Sequence, residues 1–293
     1  MSASLEKTIK NLLKTKNIFL TKRLGQNFLI NKHTLKKIVA SAEVNENDTI
    51  LEIGAGLGTL TAELSEKAKK VIAIEKDKRL FNCLKENLKN FKNVKIYCGD
   101  ILKTQILFEK ENSKNLPENK NKIILPKNYK IVANIPYYIT SRLIKTFLEA
   151  ENQPKLIVLM VQKELAQRIC AKAPKMNLLA LSVQFYGKVK IISYVSKENF
   201  FPKPKVDSAI IKIKPFSKKN PKKFRVCYFK LIKAGFSSPR KKLVNNLSNK
   251  LKLNKEKIEN VLSEINLSQT IRAEELNIEK WKLLTKKFLN DII

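Results

Sequence analysis

Residues 48–100 alternate between short β-rich runs and amphipathic helical runs, and no other feature constrains the fold as strongly. Thr49–Ile53 is a predicted strand that leads into the glycine-rich run Gly54–Gly58 and then into a helix. Val71–Ile74 and Val94–Tyr97 are predicted to be the next two strands. Repeated β-α-β units place parallel strands side by side, with helices on both faces of the sheet. We therefore predict an α/β fold built on a doubly wound, mostly parallel sheet.

The ends of these strands carry residues that suit an adenosine-type ligand. Gly54, Gly56 and Gly58 let the backbone approach a ligand closely at a helix N-terminus. The third glycine comes one residue earlier than in the dinucleotide fingerprint, which favours a cofactor without a pyrophosphate, such as S-adenosylmethionine. Glu75 ends the second strand, where an acid can hold ribose hydroxyls. Asp100 follows the third strand and is predicted to accept a hydrogen bond from the adenine amino group of such a cofactor. The alternative for the glycines is a tight turn without a ligand, and the alternative for Asp100 is capping of a helix N-terminus.

A second motif begins where the predicted strand Ile131–Asn134 runs into Ile135, Pro136 and Tyr137. Pro136 has a fixed φ and no N–H, and it pushes Ile135 towards an extended conformation. The resulting stiff loop lies at the carboxyl end of a strand, where open α/β sheets bind ligands. An amide oxygen on Asn134, the Ile135 carbonyl and the Tyr137 ring suit a flat base with an exocyclic amino group. The alternative is a plain strand-to-helix turn with a core tyrosine.

Two adjacent phenylalanines are candidates for a second aromatic wall opposite Tyr137. Phe200 is predicted to stack on an extruded base, and Phe201 is predicted to face the core. The four cysteines are scattered and His33 is the only histidine, so we predict neither a disulfide framework nor a metal site. The sequence contains no nucleophile–base pair, which fits methyl transfer, where the cofactor supplies the reactive group.

The charge of the chain indicates a polyanionic partner. Lys+Arg number 59 against 26 Asp+Glu, a net charge of +33. Between Lys212 and Lys257 there are sixteen basic residues and one acid, Glu256. Such clustering favours nucleic acid through counterion release. The longest aliphatic run, Leu156–Val161, is too short to span a bilayer, and the Lys-rich N-terminus has no signal-type apolar core, so we expect a cytoplasmic protein without a membrane role.

Composition divides the chain into three parts. Residues 1–23 are predicted to be a basic N-terminal arm, either mobile or a short helix. Residues 24–216 carry the α/β pattern, with a polar, partly mobile insertion at 103–127. Residues 217–293 contain only amphipathic helical segments and are predicted to form a small basic all-helical domain that binds RNA. Nothing in the sequence indicates an obligate dimer, so we expect a monomer.

The motifs, taken in order, resemble the ribosomal RNA adenine N6,N6-dimethyltransferases, the small-subunit dimethyladenosine transferases. The resemblance covers about residues 20–290. The segments that carry it are Gly25-Gln26-Asn27-Phe28-Leu29, Glu52-Ile53-Gly54-Ala55-Gly56-Leu57-Gly58-Thr59-Leu60-Thr61, Asn134-Ile135-Pro136-Tyr137, Gln162-Lys163-Glu164 and Phe200-Phe201-Pro202-Lys203-Pro204-Lys205-Val206-Asp207-Ser208-Ala209.

The resemblance implies a Rossmann-like methyltransferase sheet, S-adenosylmethionine as cofactor, and a specific set of site residues. Contacts to the cofactor are implied for Asn27, Leu29, Gly54, Gly56, Glu75, Asp100 and Asn134. Asn134 and the carbonyl of Ile135, held by Pro136, are implied to grip the target amino group, with Tyr137 and Phe200 stacking on the base. The implied substrate is a pair of adjacent adenines in a hairpin near the 3′ end of small-subunit ribosomal RNA, presented on an immature subunit.

Three other functions remain open at this point. Enzymes that methylate adenine in large-subunit ribosomal RNA and confer macrolide resistance share the Asn-Ile-Pro-Tyr pattern. The segments Phe236–Leu243 and Arg272–Leu276 resemble the small-subunit family instead. A non-catalytic ribosome assembly factor is a further possibility, although the intact Gly54–Gly58 and Asn134 set argues against it. A DNA adenine methyltransferase lacks support, because no separate sequence-reading module is visible.

Overall fold

The computed structural model describes residues 2–21, 24–108, 122–217 and 220–293. By their internal contacts the residues form two compact units. The first unit consists of Met1–Ala166 and Lys190–Pro215, and the second consists of Gln167–Val189 and Phe216–Ile293. Among the described residues, no helix is both long and apolar enough to cross a membrane.

The strands belong mainly to one seven-stranded sheet with the order β4-β3-β2-β7-β8-β11-β9. In chain order the strands are β1 (Phe28–Leu29), β2 (Thr49–Ile53), β3 (Lys70–Glu75), β4 (Val94–Cys98), β5 (Gln105–Phe108), β6 (Lys122–Leu125), β7 (Tyr129–Asn134), β8 (Leu156–Gln162), β9 (Gly187–Val195), β10 (Phe200–Phe201) and β11 (Ser208–Pro215). The pairs β2–β3, β2–β7, β3–β4 and β7–β8 are parallel, whereas β11 runs antiparallel to β8. The predicted doubly wound, mostly parallel α/β sheet is confirmed.

Helices connect the parallel strands and form most of the second unit. In chain order they are α1 (Ser2–Thr15), α2 (Lys32–Ser41), α3 (Thr59–Ser65), α4 (Lys78–Asn87), α5 (Thr140–Glu149), α6 (Lys163–Ile169), α7 (Leu178–Gln184), α8 (Lys222–Gly235), α9 (Leu243–Leu251), α10 (Lys255–Glu264), α11 (Ile278–Lys287) and α12 (Leu289–Ile292). Side-chain caps start some of them: the Asp77 side chain accepts from Arg79 N–H at the start of α4.

The parallel order of β2, β3 and β7 decides where a ligand can bind. β2 lies between β3 and β7, and all five of its residues are buried. Its neighbours run in the same direction, so the carboxyl ends of these strands meet at one edge of the sheet. That edge is where open α/β sheets place ligands.

The N-terminal arm predicted for residues 1–23 is not a mobile tail where the structure describes it. The apolar spacing of α1 buries Ile9 and Leu13 in a cluster that includes Phe28, Leu57 and Leu80. Because these apolar contacts fix one face of the helix, α1 belongs to the first unit. Three residues of the predicted arm, Met1, Lys22 and Arg23, lie outside the described residues.

The predicted insertion at 103–127 contains secondary structure that its polar composition concealed. β5 and β6 pair in parallel as a separate two-stranded sheet, with Gln105 opposite Lys122 and Phe108 opposite Leu125. Ile123 and Leu125 are buried. Residues 109–121, in the middle of the insertion, lie outside the described residues.

The second unit differs from the predicted domain boundary because residues 167–189 pack with the C-terminal helices. Leu181 of α7 is buried in the same apolar cluster as Tyr228, Leu247 and Trp281. The Tyr228 hydroxyl donates a 3.1 Å hydrogen bond to the Leu181 carbonyl. Although α7 lies within residues 24–216, which the sequence predicts to be one domain, these contacts place it in the helical unit.

Candidate active site

A cavity of the first unit opens at the carboxyl edge of β2, β3 and β7 and collects nearly all of the predicted site residues. They come from five separate segments of the chain, so the fold rather than local sequence brings them together. The predicted residues that line this cavity are Asn27, Leu29, Gly54, Gly56, Glu75, Asp100, Asn134, Ile135, Pro136 and Tyr137.

The glycine run forms a cradle that side chains would fill. Gly54, Gly56 and Gly58 all have left-handed backbones, with φ of 75°, 60° and 88°. A Cβ on Gly56 would lie 3.0 Å from Phe28 Cε1. A Cβ on Gly54 would lie 3.5 Å from Pro136 Cδ, in the space between the glycine run and the loop that follows β7. The glycines therefore serve both the turn and the space above it.

Glu75 is held in place by the backbone on both sides. Its Oε2 accepts a 2.8 Å hydrogen bond from Gly56 N–H, and its Oε1 accepts a 2.8 Å hydrogen bond from Asp77 N–H. Burial raises the pKa of the Glu75 carboxyl, and the two backbone donors partly oppose that rise. Each carboxylate oxygen has a further lone pair, so this residue can also accept from ligand hydroxyls.

Asp100 lines the same cavity and also caps a turn. Its Oδ1 accepts a 3.0 Å hydrogen bond from Leu102 N–H, and its Oδ2 lies 3.0 Å from Lys76 Nζ. Burial acts to raise the pKa of Asp100, but the Lys76 ammonium and the Leu102 N–H together hold it below its usual value. Asp100 therefore caps a turn rather than the helix N-terminus that the sequence left as an alternative, and it also lies in the cavity wall.

The Asn134 carboxamide has a defined orientation. Its Nδ2 donates a 3.2 Å hydrogen bond to the carbonyl of Asn27, which leaves Oδ1 as the atom that can accept from a ligand. Asn134 is the last residue of β7, so a strand and a loop fix it from two sides. Within the described part of the chain, no donor bonds the neighbouring Ile135 carbonyl. Two consecutive residues at the end of β7 therefore each offer an acceptor for a ligand.

Tyr137 is half-buried at the start of a short 3₁₀ turn, and its hydroxyl is bonded to Ser208 Oγ at 2.6 Å. Ser208 is fully buried at the start of β11. Burial raises the pKa of the Tyr137 phenol, with a smaller opposite effect from Ser208. The ring is thus anchored at its hydroxyl end, which limits the directions in which its face can point.

Phe200 is the one predicted site residue that the structure keeps away from the cavity. It pairs with Leu29 in the short β1–β10 sheet and is 3% exposed within an apolar cluster. Phe201, which the sequence predicts to face the core, packs against the apolar cluster that includes Phe28 but is only partly buried, and Lys10 Nζ lies 4.9 Å from its ring centre. Phe200 is therefore the more buried member of the pair.

Glu52 is a cavity residue that sequence reasoning did not select as a site residue. It lies in β2, only 2% exposed, and its Oε2 has no hydrogen-bond partner among the described residues. Burial raises the pKa of this carboxyl to about 8, with a smaller lowering by the nearby Thr61 hydroxyl and a slight rise from Glu75. An acid inside an otherwise apolar strand, two residues before Gly54, is the signal that could have identified it.

These features fit an adenosine-containing sulfonium cofactor. The glycine cradle leaves room that a Cβ would fill, and Glu75 supplies acceptors for hydroxyl groups. Glu52 offers an unpartnered buried oxygen in the same wall, and Asp100 adds a carboxylate at the neighbouring strand end. A ligand with hydroxyl donors, an amino group and positive charge matches this set of acceptors.

Comparison with known proteins gives relatives over almost the whole chain. A relative named ribosomal RNA small subunit methyltransferase A in Dehalococcoides mccartyi is 41% identical over 286 residues, which cover 97% of this chain and 94% of the relative. Relatives with the same name in Clostridium botulinum and Fusobacterium nucleatum are each 39% identical and cover 90% and 91% of this chain, and 92% and 97% of their own lengths.

Solved structures agree on the fold. A dimethyladenosine transferase from Plasmodium falciparum superposes with a TM-score of 0.69 at 29% identity, covering 89% of this chain and 97% of that chain. The 23S rRNA methyltransferase ErmE superposes with a TM-score of 0.72 at 24% identity, covering 89% and 98%. At that identity the second likeness shows the fold alone.

The family described as ribosomal RNA adenine dimethylase matches residues 19–289, a span that includes every residue of the cavity described above. The Rossmann-like methyltransferase architecture expected from the sequence is confirmed by the solved structures. The chain is therefore an S-adenosylmethionine-dependent methyltransferase that belongs to the ribosomal RNA adenine dimethylase family.

Proposed function

We propose that this protein transfers methyl groups from S-adenosylmethionine to N6 of two adjacent adenines in a 3′-terminal hairpin of small-subunit ribosomal RNA. The observation that carries this proposal is the hydrogen bond from the Asn134 carboxamide nitrogen to the Asn27 carbonyl, which leaves Oδ1 to accept from a ligand, with both Asn134 and Ile135 in the lining of the cavity. The names of the relatives support the small subunit as the source of the RNA.

The two acceptors suit an adenine amino group. The lone pair of that nitrogen is delocalised into the ring, which makes it a weak nucleophile. Hydrogen bonds from its two hydrogens to Asn134 Oδ1 and the Ile135 carbonyl favour a pyramidal nitrogen, whose lone pair then points out of the ring plane. When bound, S-adenosylmethionine supplies the sulfonium methyl group. The new N–C bond forms as the bond between the methyl group and sulfur breaks, which would leave a neutral thioether. No strong base is required, because the nitrogen becomes acidic once it carries positive charge and can lose its proton to water.

Tyr137 is proposed to stack on the extruded base. The bond to buried Ser208 fixes the hydroxyl end of the ring, so little side-chain entropy is lost when a base binds. The stacking role inferred for Phe200 finds no support in its position, since its ring is buried among apolar neighbours.

The second unit is proposed to bind the ribosomal RNA backbone. Its surface carries an open groove whose charged lining residues are all basic: Arg240, Lys241, Lys242, Lys255 and Arg272. Each of these side chains is exposed. Cations grouped in this way release counterions from phosphates on binding, which supplies affinity without reading the sequence.

We further propose that the enzyme acts as a monomer in the cytoplasm on an immature small ribosomal subunit. The alternatives are a large-subunit enzyme and an assembly factor without activity. The first is not favoured by the names of relatives about 40% identical to this chain. The second is not favoured by the complete set of cradle glycines and acceptors in the cavity.

The experiment that tests the proposal is transfer of labelled methyl groups to immature small subunits that lack the modification. Naked large-subunit RNA is assayed in parallel, and products are mapped by nucleoside mass spectrometry. Dimethyladenosine at two neighbouring adenines of the small subunit is the expected result. Label on large-subunit RNA alone, or RNA binding without any label, would overturn it in favour of one alternative or the other.

A further inference from the structure

A hydrogen-bonded network on α4 fastens the loop that carries Asn27. Asp77, the N-cap of α4, accepts from Gln26 Nε2 at 2.8 Å and from the Arg79 backbone N–H at 3.0 Å. Gln26 in turn accepts through Oε1 from Thr21 N–H at 2.8 Å. The Gln26 side chain thus links the N-terminal end of α4 to Thr21, in the segment that precedes the loop.

Arg79 completes this network with all three of its side-chain nitrogens. Its Nε and one terminal nitrogen donate to the two Asp77 oxygens at 3.0 and 2.7 Å. The same terminal nitrogen reaches Thr21 Oγ1 at 3.0 Å, and the other donates to the Phe19 carbonyl at 3.0 Å. The pKa of Asp77 is lowered to about 2, chiefly by Arg79 and also by Gln26, so this carboxylate is ionised at neutral pH.

The network leads to both halves of the active site. On one side, Asp77 N–H donates to Glu75 Oε1, and Glu75 binds the Gly56 N–H. On the other side, Gln26 directly precedes Asn27, whose carbonyl orients the Asn134 amide. The cofactor-side carboxylate and the target-side carboxamide therefore share one support.

We propose that Gln26, Asp77 and Arg79 are positioning residues that hold the Leu24–Leu29 loop over the cofactor cavity and thereby set both cofactor affinity and the orientation of Asn134. This inference rests on the proposed function for the turnover part only. Cofactor affinity can be measured without RNA. Because Asp77 also caps α4, Gln26 and Arg79 are the residues to change.

The test compares Arg79→Ala, Gln26→Ala and the double variant with Lys78→Ala, all in the full-length protein. Lys78 is exposed, carries the same charge and lies in the first turn of the same helix, so it controls for charge and helix position. The dissociation constant of S-adenosylhomocysteine is measured by titration calorimetry without RNA, and kcat is measured on immature small subunits. Melting temperatures identify any variant that is unfolded.

Each single network variant is expected to weaken S-adenosylhomocysteine binding about tenfold, the effect of losing roughly one charge-assisted hydrogen bond. The double variant is expected to lose much less than the product of the single losses, because both changes break one network. The kcat of both single variants is also expected to fall, whereas Lys78→Ala should match the unmodified protein in both measurements. If Arg79 and Gln26 supported the cofactor cavity without orienting Asn134, the kcat of their variants at saturating cofactor would stay unchanged.

Two results overturn the affinity part of the proposal, and an unchanged kcat in both single variants overturns the part that concerns Asn134. One is an Arg79→Ala or Gln26→Ala protein that binds S-adenosylhomocysteine as Lys78→Ala does. The other is independent, multiplicative losses in the double variant. If Arg79→Ala does not fold, Arg79→Lys and Gln26→Ala carry the same test, since lysine can reach Asp77 but cannot also bond Phe19 and Thr21. Tight cofactor binding without any methyl transfer to small subunits would overturn the proposed function and leave the affinity part of this inference intact.

Discussion

Replacing Glu52 by glutamine should change how the stability of the ligand-free protein depends on pH. The carboxyl has a pKa of about 8 in the folded protein against an ordinary value of 4.5. Between these values the folded chain binds a proton that the unfolded chain has lost, so the free energy of unfolding falls as pH rises. Linkage with these two pKa values gives a loss of about 2 kcal/mol between pH 6 and pH 8.

Glutamine imitates the protonated carboxyl and cannot ionise. The free energy of unfolding of the variant should therefore exceed that of the unmodified protein by a margin that widens by about 2 kcal/mol between pH 6 and pH 8. Urea denaturation at pH 6, 7 and 8, with m values compared to confirm the same transition, measures this difference. Other titrating groups cancel between the two proteins. Parallel pH profiles would refute the assignment of a buried, protonated Glu52.

Three further outcomes are expected. Asn134→Ala should keep S-adenosylhomocysteine binding while kcat falls by roughly 100-fold or more, as for loss of a preorganised polar contact; wild-type turnover would contradict the role of Oδ1. Gly56→Ala should lower the free energy of unfolding by about 1–2 kcal/mol, because its φ of 60° is left-handed and the new Cβ meets Phe28, and a melting curve checks this. Lys241→Ala should reduce the slope of log affinity for RNA against log salt by about one, and an unchanged slope would remove Lys241 from the phosphate contacts.

The alternation of β-rich and helical runs predicted most of the sheet of the first unit, and the residues that end its strands predicted most of the cavity. β2 has the predicted bounds, because a buried strand that runs into a glycine-rich turn is set by local chemistry. The cavity residues at strand ends were predicted for the same reason. Tertiary packing decided what local patterns could not. Which of Phe200 and Phe201 is buried depends on the pairing of β10 with β1, and no single-strand pattern contains that information.

The site residues that sequence reasoning missed act through partners distant in the chain. Glu52 is informative only once its burial is known, and Ser208 only once its bond to Tyr137 is seen. Arg79 lies 58 residues from Thr21, whose hydroxyl it binds, and no motif links the two. Side chains of this kind are found by contact rather than by spacing.

The interleaving of the two units along the chain has a consequence for biosynthesis. The first unit needs β11, so its sheet cannot close until the ribosome has released Ser208–Pro215. By then α7 has already emerged, and its partners in α8 have not. A nascent chain that pauses near residue 216 would thus carry an apolar helix without its core, and a fragment ending there should aggregate or recruit chaperones. Because each unit consists of two separate stretches of the chain, no single cleavage can release either unit intact.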